Sequence, residues 1–477
     1  MPKRATSFRH QPGNGAVLDK AYQAIRDELE VRQEFPPAVL AETAAAIAAA
    51  ELPDRDETGV PFLTIDPPGA MDLDQAMHIE RDGDGYRLRY AIADVPAFVV
   101  PGSALDAEAL LRGATVYCPD TRVPLHPTQL SEDAASLLPD VVRPAFVWDI
   151  GLGPDGARDR AELYRARVRS IRRYTYTEAQ QTIDGDGAAA TLQLLAELGP
   201  LRIARESERG GASLPMPEQE VHVDADGHYS LRFRPVLAVE EWNAQVSLLT
   251  GIVAAQMMLD GGVGLLRTMP PAQDRDIDRF RRQARALGAS WPTDLPYGDF
   301  LRTLDRTDPQ HLAIIHAATA LFRGAGYEAF DGAVPEQPVQ AAIGAPYAHV
   351  TAPLRRLVDR YALVVCEALS QGREVPRWAR EALPDLPAVA ATTGRLAGTV
   401  ERACTDATEA AVLRHRVGEV FDAVVVDGAG ERGVDIQITD PAINAIAEGS
   451  AEPGTQVRVK LLAADVTTRS VRFSLVR

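Results

Sequence analysis

The stretch LTIDPPGAMDLDQAM, Leu63 to Met77, decides the reading of this chain. Leu63 to Asp66 is β-branched and apolar enough to end a buried strand. Pro67, Pro68 and Gly69 then break regular structure and force a tight loop. Asp72 and Asp74, separated by one residue, share a face if their segment is extended, and the loop can fold them back towards Asp66. Three carboxylates held together repel strongly unless protons or a cation intervene. Hard oxygen ligands of this kind suit Mg²⁺ or Mn²⁺. Two other readings stand beside that one. An acidic loop can be solvated and bind nothing. A calcium loop fits less well, because Asp72-Leu73-Asp74-Gln75-Ala76 lacks both the third oxygen ligand and the turn glycine of such loops.

Working outward, 477 residues are enough for roughly two to four domains. Hydrophobic residues make up 46% and charged residues 25%, the balance of an ordinary folded chain. No apolar run is long enough to span a membrane, and the N-terminus MPKRATSFRHQPGNG lacks the apolar core of a secretory signal. It reads as a flexible tail. Cys118, Cys366 and Cys404 form no metal-spaced pair, and so sparse a set fits a reducing cytoplasm. A net charge of −17 argues against coating DNA non-specifically, although a local basic channel remains compatible with it. Lys3, Lys20 and Lys460 are the only lysines; nearly all positive charge is arginine, which suits bidentate phosphate contacts but also follows from a GC-rich genome.

Helices are expected over Val17–Val31 and Pro37–Ala50, a small N-terminal unit that either pads the next domain or forms a helix-turn-helix. From Val60 the texture becomes strands. Tyr86–Ala93 follows an Asp-Gly-Asp-Gly turn, and Phe146–Leu152 and Glu162–Ile171 form a further pair. The second of these carries Arg165, Arg167 and Arg169 at period two, with Tyr174 and Tyr176 beyond. A face of guanidinium groups beside aromatic rings suits single-stranded nucleic acid; an exposed strand with solubilising arginines gives the same pattern. From Thr177 the pattern is helical, over Leu192–Arg209, Glu240–Asp260, Asp274–Leu287, Pro309–Arg323 and Pro353–Leu369. Strands first and helices later make an α+β domain. A helix from about Ala388 to His415 leads to Gly418–Val476, whose short alternating strands fit an OB-type barrel. Gly428, Gly430 and Gly433 match a dinucleotide-binding spacing, but a strand follows where that motif needs a helix.

The segment YAHVTAPLRRLVD, Tyr347 to Asp359, closely resembles YAH-x-TSPIRRYxD of the RNase II/RNB exoribonuclease family. TIDPPGAMDLDQA resembles that family's metal-binding motif. IADVPAFVVPGSALDAEALLRGATVY, LSEDAASLLPDVVRPAFVWDI and RGGASLPMPE lie between them in the family's order. The resemblance covers roughly residues 60–372, and the last sixty residues resemble the family's closing S1 module. It implies three regions: a helical 1–59, an RNB catalytic domain at 60–390 with a mixed sheet surrounded by helices, and a linking helix with an S1/OB barrel at 391–477.

The resemblance also implies roles, position by position. Asp66, Asp72 and Asp74 match three of the family's four Mg²⁺-holding aspartates, and Asp74 the one most critical for cleavage. Arg355 matches the arginine that contacts the scissile phosphate. Tyr117 matches the aromatic near the 3′-terminal nucleotide, and Tyr176 and Glu240 positions that hold nucleotides near the reacting end. Arg167 and Arg169, from the arginine strand, join them as RNA-binding candidates. The implied reaction is hydrolytic release of nucleoside 5′-monophosphates from the 3′ end of single-stranded RNA, by a cytoplasmic monomer that does not take DNA. Three departures matter. Gln75 stands where the fourth aspartate usually sits, Pro215 where some members place a stacking phenylalanine, and about sixty N-terminal residues are too few for paired cold-shock domains. An RNA-binding protein without turnover, and a phosphodiesterase acting on DNA or small nucleotides, are the competing functions. His349 reads as a core histidine rather than a ligand.

Overall fold

Five strands, Phe62–Asp66, Gln75–Asp82, Gly85–Ala93, Val142–Leu152 and Arg158–Thr175, close into a barrel in the computed structural model of the chain. The structure describes residues 6–8, 16–185, 187–212, 214, 218–223, 229–234, 236–306, 308–428, 430, 433–438, 440–441 and 443–476. Asp82 pairs with Gly85, so Gly83, at φ +57°, and Asp84 form the two-residue hairpin turn, a geometry that glycine adopts without steric cost. Closure comes from Phe62–Asp66 running parallel to the end of the long strand, with Asp66 opposite Thr175. The expected mixed sheet is therefore rolled shut, and Asp66 is fixed at one rim.

Side chains alternate along these strands as the pleat requires. Tyr86, Leu88, Tyr90 and Ile92 share a cluster with Phe146, Trp148 and Ile150 and with apolar residues of the helices Ala190–Glu208, Ala238–Gly261 and Leu357–Ser370. Ala91, Ala93, Ala145, Val147, Ala166 and Val168 belong to a second cluster with Phe62 and Leu73. Trp148 is completely buried, and each side chain buried so fully contributes about 2–3 kcal/mol. The later half of the domain is mostly helical, but Val263–Thr268 pairs antiparallel with Gly326–Asp331 over six residues, a ladder the helical pattern did not announce.

The C-terminal barrel is built from Val420–Gly428, Val434–Ile438, Ile443–Glu448, Gln456–Asp465 and Ser470–Leu475, again closed. Val434–Ile438 is the strand that follows the three glycines. The helix Leu386–Leu413 runs across the expected domain boundary at 390. Part of the expected N-terminal tail is a strand: Thr6–Phe8 pairs parallel with Glu218–Val223, which pairs with Tyr229–Arg234. An unpaired sheet edge recruits such a segment. The two N-terminal helices, Ala16–Glu28 and Pro37–Ala49, use different partners. The first buries Leu18, Tyr22 and Ile25 among Val400, Cys404 and Ala407 of the long terminal helix, with Tyr22 Oη 2.7 Å from Thr408 Oγ1. The second caps another helix, Ala104–Arg112, because Glu42 accepts from the amides of Ala104 and Leu105 at 2.9 and 3.1 Å. No helix among the described residues is long and apolar enough to cross a membrane.

A buried ion pair ties Ala104–Arg112 to Leu357–Ser370. Arg360, fully buried, donates to Asp106 and to Val99 O at 3.0 Å, while Gly102 N donates to Asp106 at 2.7 Å. Removing one partner leaves an uncompensated buried charge, which typically costs about 3–5 kcal/mol. Asp106→Ala should lower the unfolding free energy in urea by about that amount; a loss below about 1 kcal/mol contradicts a coupled, buried pair.

Candidate active site

The loop after Asp66 is shaped by its own residues and pinned by others. Gly69 takes φ +78°, and Ala70 N donates back to Pro67 O at 3.2 Å. Leu73 is buried completely and its amide donates to Ser136 Oγ at 2.9 Å; the same hydroxyl donates to Met71 O at 2.6 Å. Leu137 N donates to Leu73 O at 3.0 Å and Ala93 N to Asp74 O at 2.9 Å. Between these anchors Asp74 turns inward and is only 2% exposed.

Asp74 meets a second loop, far away in sequence. Leu354 N donates to its Oδ1 at 2.8 Å and Arg355 Nε to its Oδ2 at 3.1 Å. That loop is held by Asp359, which is fully buried and accepts from Ala352 N at 2.7 Å and from Arg356 Nε and Nη2 at 2.8 Å each. Of the two adjacent arginines, Arg356 is thus committed to the turn and Arg355 to the site. The helix begins only at Leu357, later than the expected Pro353. Residues 353–356 form the turn that delivers Arg355. Gln75 donates its amide to Thr351 O, adding a tie between the loops where a fourth carboxylate was expected. The His349 ring is half-buried and lies 2.6 Å from Tyr327 Oη through Nδ1, a packing role.

A third element completes the corner. Tyr117 pairs with Arg122 in a two-residue ladder, Thr115 N donates to Arg355 O at 3.0 Å, and Arg122 Nη1 donates to Asp72 Oδ1 at 3.1 Å. Tyr117 is 47% exposed, open to a stacking partner. Tyr176 lies close to Asp66, Glu240 and Asn243; burial pushes its hydroxyl up to about 12. Glu240 is engaged by a bidentate pair from Arg234 at 2.7 and 3.0 Å and accepts Leu237 N at 2.9 Å. In this conformation it caps the helix Ala238–Gly261.

The three aspartates line one corner without converging on a point. Among the described residues, no group of three or more His, Cys, Asp or Glu side chains is gathered tightly enough to share an ion. Asp72 is turned to Arg122 and Asp74 to Arg355, since like charges separate and each takes the nearest guanidinium. Arg167 and Arg169 are not at this corner. Arg167 pairs with Asp56 at 3.1 Å, its neighbour Arg165 pairs with Asp94 at 3.2 Å, and Arg169 is exposed opposite Val142. Arg173, later in the same run, does reach the loop, donating to Ala70 O at 2.7 Å. Arg122 and Ser136 carry no local signal of a site role; their function follows from pairings between distant segments, whereas Asp359 stands in the Tyr347–Asp359 motif and holds its own turn. Pro215 lies outside the described residues.

Burial pushes Asp66 up to about 6 and Asp74 up to about 7, with the Arg355 charge opposing both shifts. Asp66 Oδ2 is buried with no hydrogen-bond partner. Unfolding returns both carboxyls to about 4, so the folded state holds these protons more tightly. Their contribution to stability is complete below that value and is lost as pH rises through 6 to 7. In chelator, melting temperature should fall between about pH 5 and pH 8. Asp74→Asn, which cannot ionise, should flatten that fall, and an equal slope in both proteins contradicts the buried-carboxylate picture.

The family model for the RNB domain matches residues 55–371, and that for the RNase II-type exonuclease C-terminal S1 domain matches residues 419–476. The exosome complex exonuclease RRP44 homolog A of Arabidopsis thaliana is 30% identical over 313 residues, covering 62% of this chain and 33% of that protein. Ribonuclease R of Vibrio cholerae is 26% identical over 511 residues, covering 94% of this chain and 60% of its own length. The chain therefore spans between one third and three fifths of these relatives. The apo form of Mycoplasma genitalium RNase R superposes with a TM-score of 0.85 over 96% of this chain and 78% of that one, at 18% identity, a likeness of fold. With the aspartate loop, the arginine turn and both barrels in family order, this chain belongs to the RNB-domain family and carries the RNase II-type S1 domain at its C-terminal side.

Proposed function

We propose that this chain is a hydrolytic 3′→5′ exoribonuclease that degrades single-stranded RNA to nucleoside 5′-monophosphates, acting as a cytoplasmic monomer with Mg²⁺ or Mn²⁺. The observation that carries the reading is Arg355 seated on buried Asp74, between the aspartate loop and the Tyr117 hairpin. Family membership and the names of the relatives, ribonuclease and exonuclease, support it.

The chemistry of the donor set, rather than its spacing in this conformation, fits a divalent cation. Asp66, Asp72 and Asp74 offer only hard oxygens. Asp66 Oδ2 is buried and unpaired, and the proton affinity of Asp66 and Asp74 is raised, so added positive charge is favoured there. Cations held by these residues would lower the pKa of a bound water and clamp phosphoryl oxygens. The protein's own groups do the rest. Arg355 is bonded through Nε to Asp74, and its side chain is 42% exposed. Both Nη groups are left without a hydrogen-bond partner among the described residues, available for charge-assisted bonds to the developing phosphoryl charge. Asp74 fixes the plane of that guanidinium. Tyr117 offers a ring at the mouth of the corner, on which a terminal base stacks.

A binding protein without turnover is the second reading. Gln75 favours it, because its neutral amide is spent on Thr351 O. Incubation of 5′-labelled single-stranded RNA with Mg²⁺ separates the two. A ladder of shortening products, abolished in Asp74→Asn, is expected; RNA bound tightly with no product supports the second reading. A DNA oligomer of the same sequence should stay intact, since 2′-hydroxyl contacts distinguish the two. Arg355→Ala should lower kcat by about a hundredfold or more with a far smaller change in RNA affinity; equal losses in both contradict a transition-state role. Tyr117→Ala should change the length of the shortest product, and an unchanged end point removes Tyr117 from the RNA path.

A further inference from the structure

The hairpin that carries Tyr117 and Arg122 also carries Cys118. Its turn is Pro119-Asp120, closed by Cys118 N donating to Thr121 O at 2.8 Å. Cys118 is half-buried and packs against the cluster formed by the N-terminal helix, the terminal helix and the C-terminal barrel. Cys404, on the terminal helix, is 1% exposed in that same cluster. The two thiols, remote in sequence, adjoin one another in that cluster, and both are reduced.

A cation stands over the pair. Arg26 of the N-terminal helix is 4% exposed, donates to Asp120 in the hairpin turn at 2.7 Å, and lies near enough for its charge to act on the Cys118 thiol. The neighbouring Cys404 thiol, and then Arg26, draw Cys118 below the usual thiol range against the opposing effect of burial, and the same contact raises Cys404. A partly exposed thiol beside a guanidinium and a second thiol has the reactive surroundings of a redox cysteine. Cys366 is the contrast: it is completely buried, and burial pushes its thiol up, so it is inert.

We propose that Cys118 and Cys404 form a reversible disulfide on exposure to a hydroperoxide, and that this link locks the Tyr117 hairpin onto the helix leading to the C-terminal barrel. The Cys118 thiolate attacks one peroxide oxygen; the O–O bond breaks, and the other oxygen leaves and takes a proton. Cys118 is then a sulfenic acid. The Cys404 sulfur attacks the Cys118 sulfur, the S–S bond forms, and the S–O bond breaks. The oxygen leaves with the Cys404 proton as water. Two electrons pass from the thiols to the peroxide. The hairpin also donates to Arg355 O through Thr115 N and pairs with Asp72 through Arg122. Fixing its base against the terminal helix therefore restricts the wall past which an RNA end moves. The linkage stands on the cysteines alone; its effect on rate rests on the function proposed above.

The test uses the reduced full-length chain, pulsed with graded hydrogen peroxide, alkylated, digested without reductant and analysed by mass spectrometry. A peptide linked through Cys118 and Cys404 is expected, with Cys366 still alkylated. RNA degradation should slow several-fold in step with the linked fraction and recover in dithiothreitol. In Cys404→Ser, Cys118 should accumulate as a sulfenic acid trapped by dimedone, and the reversible slowing should vanish. Absence of the linked peptide from the wild-type chain overturns the proposal. A linked peptide with unchanged rate overturns the lock, as does equal slowing in Cys404→Ser. If the reduced protein degrades no RNA, the proposed function fails, and the peptide result still decides the disulfide.

Discussion

The contact between Asp74 and Arg355 is the constraint around which the rest is arranged. A carboxylate almost removed from water is costly unless charge and hydrogen bonds meet it. Here one backbone amide and one guanidinium do so, both from a loop far along the chain. To bring them there, one barrel must close so that its first strand ends at the rim, and a turn must be held rigid by buried Asp359. The helix Leu357–Ser370 must also be tied to Ala104–Arg112 through Arg360 and Asp106. The first is met by a backbone ladder, and the other two by buried polar groups with their own partners. The site is accordingly built on packed elements rather than on free loops.

Much of this was legible before any coordinates. Proline and glycine at positions 67–69 and the turn at Asp82–Gly85 specify local geometry directly, and the structure follows them. The long central strand extends beyond the predicted Glu162–Ile171 at both ends, because Arg158–Asp159–Arg160 and Arg172–Arg173 have the composition of solvent-facing turns, yet the ladder runs from Arg158 to Thr175. Val263–Thr268 was invisible because its partner lies some sixty residues on and its apolar run continues a helical pattern. Among site residues, the aspartates and Arg355 announced themselves as charges in a motif. Asp359 stood in the same motif, but its role depends on which backbone amide the turn presents to it. Arg122 reaches Asp72 only through a two-residue ladder that no periodicity encodes. The arginines at 165, 167 and 169 show the opposite: a regular charge pattern of which two members are spent on ion pairs with carboxylates remote in sequence.

The N-terminal helix has a place that neither family model covers. It fills the angle between the terminal helix and the Tyr117 hairpin, with Tyr22 bonded to Thr408, Arg26 to Asp120 and Glu28 to Arg469 of the C-terminal barrel. The three regions expected from sequence are thereby joined through one apolar cluster. Displacement at the barrel can therefore be felt at the hairpin beside the aspartates. Surface pairs of this kind add little individually, but buried Tyr22 and Arg26 supply the rigidity.

Whether Asp66, Asp72 and Asp74 act as one cation site is decided most directly by titrating metal-free protein with Mn²⁺ and following the free ion by electron paramagnetic resonance. Saturable binding is predicted for the wild-type chain, weakened by about tenfold or more in both Asp66→Asn and Asp72→Asn. Binding that is equal in all three proteins, or absent from the wild type, would contradict the assignment of this corner as a metal-assisted hydrolytic site.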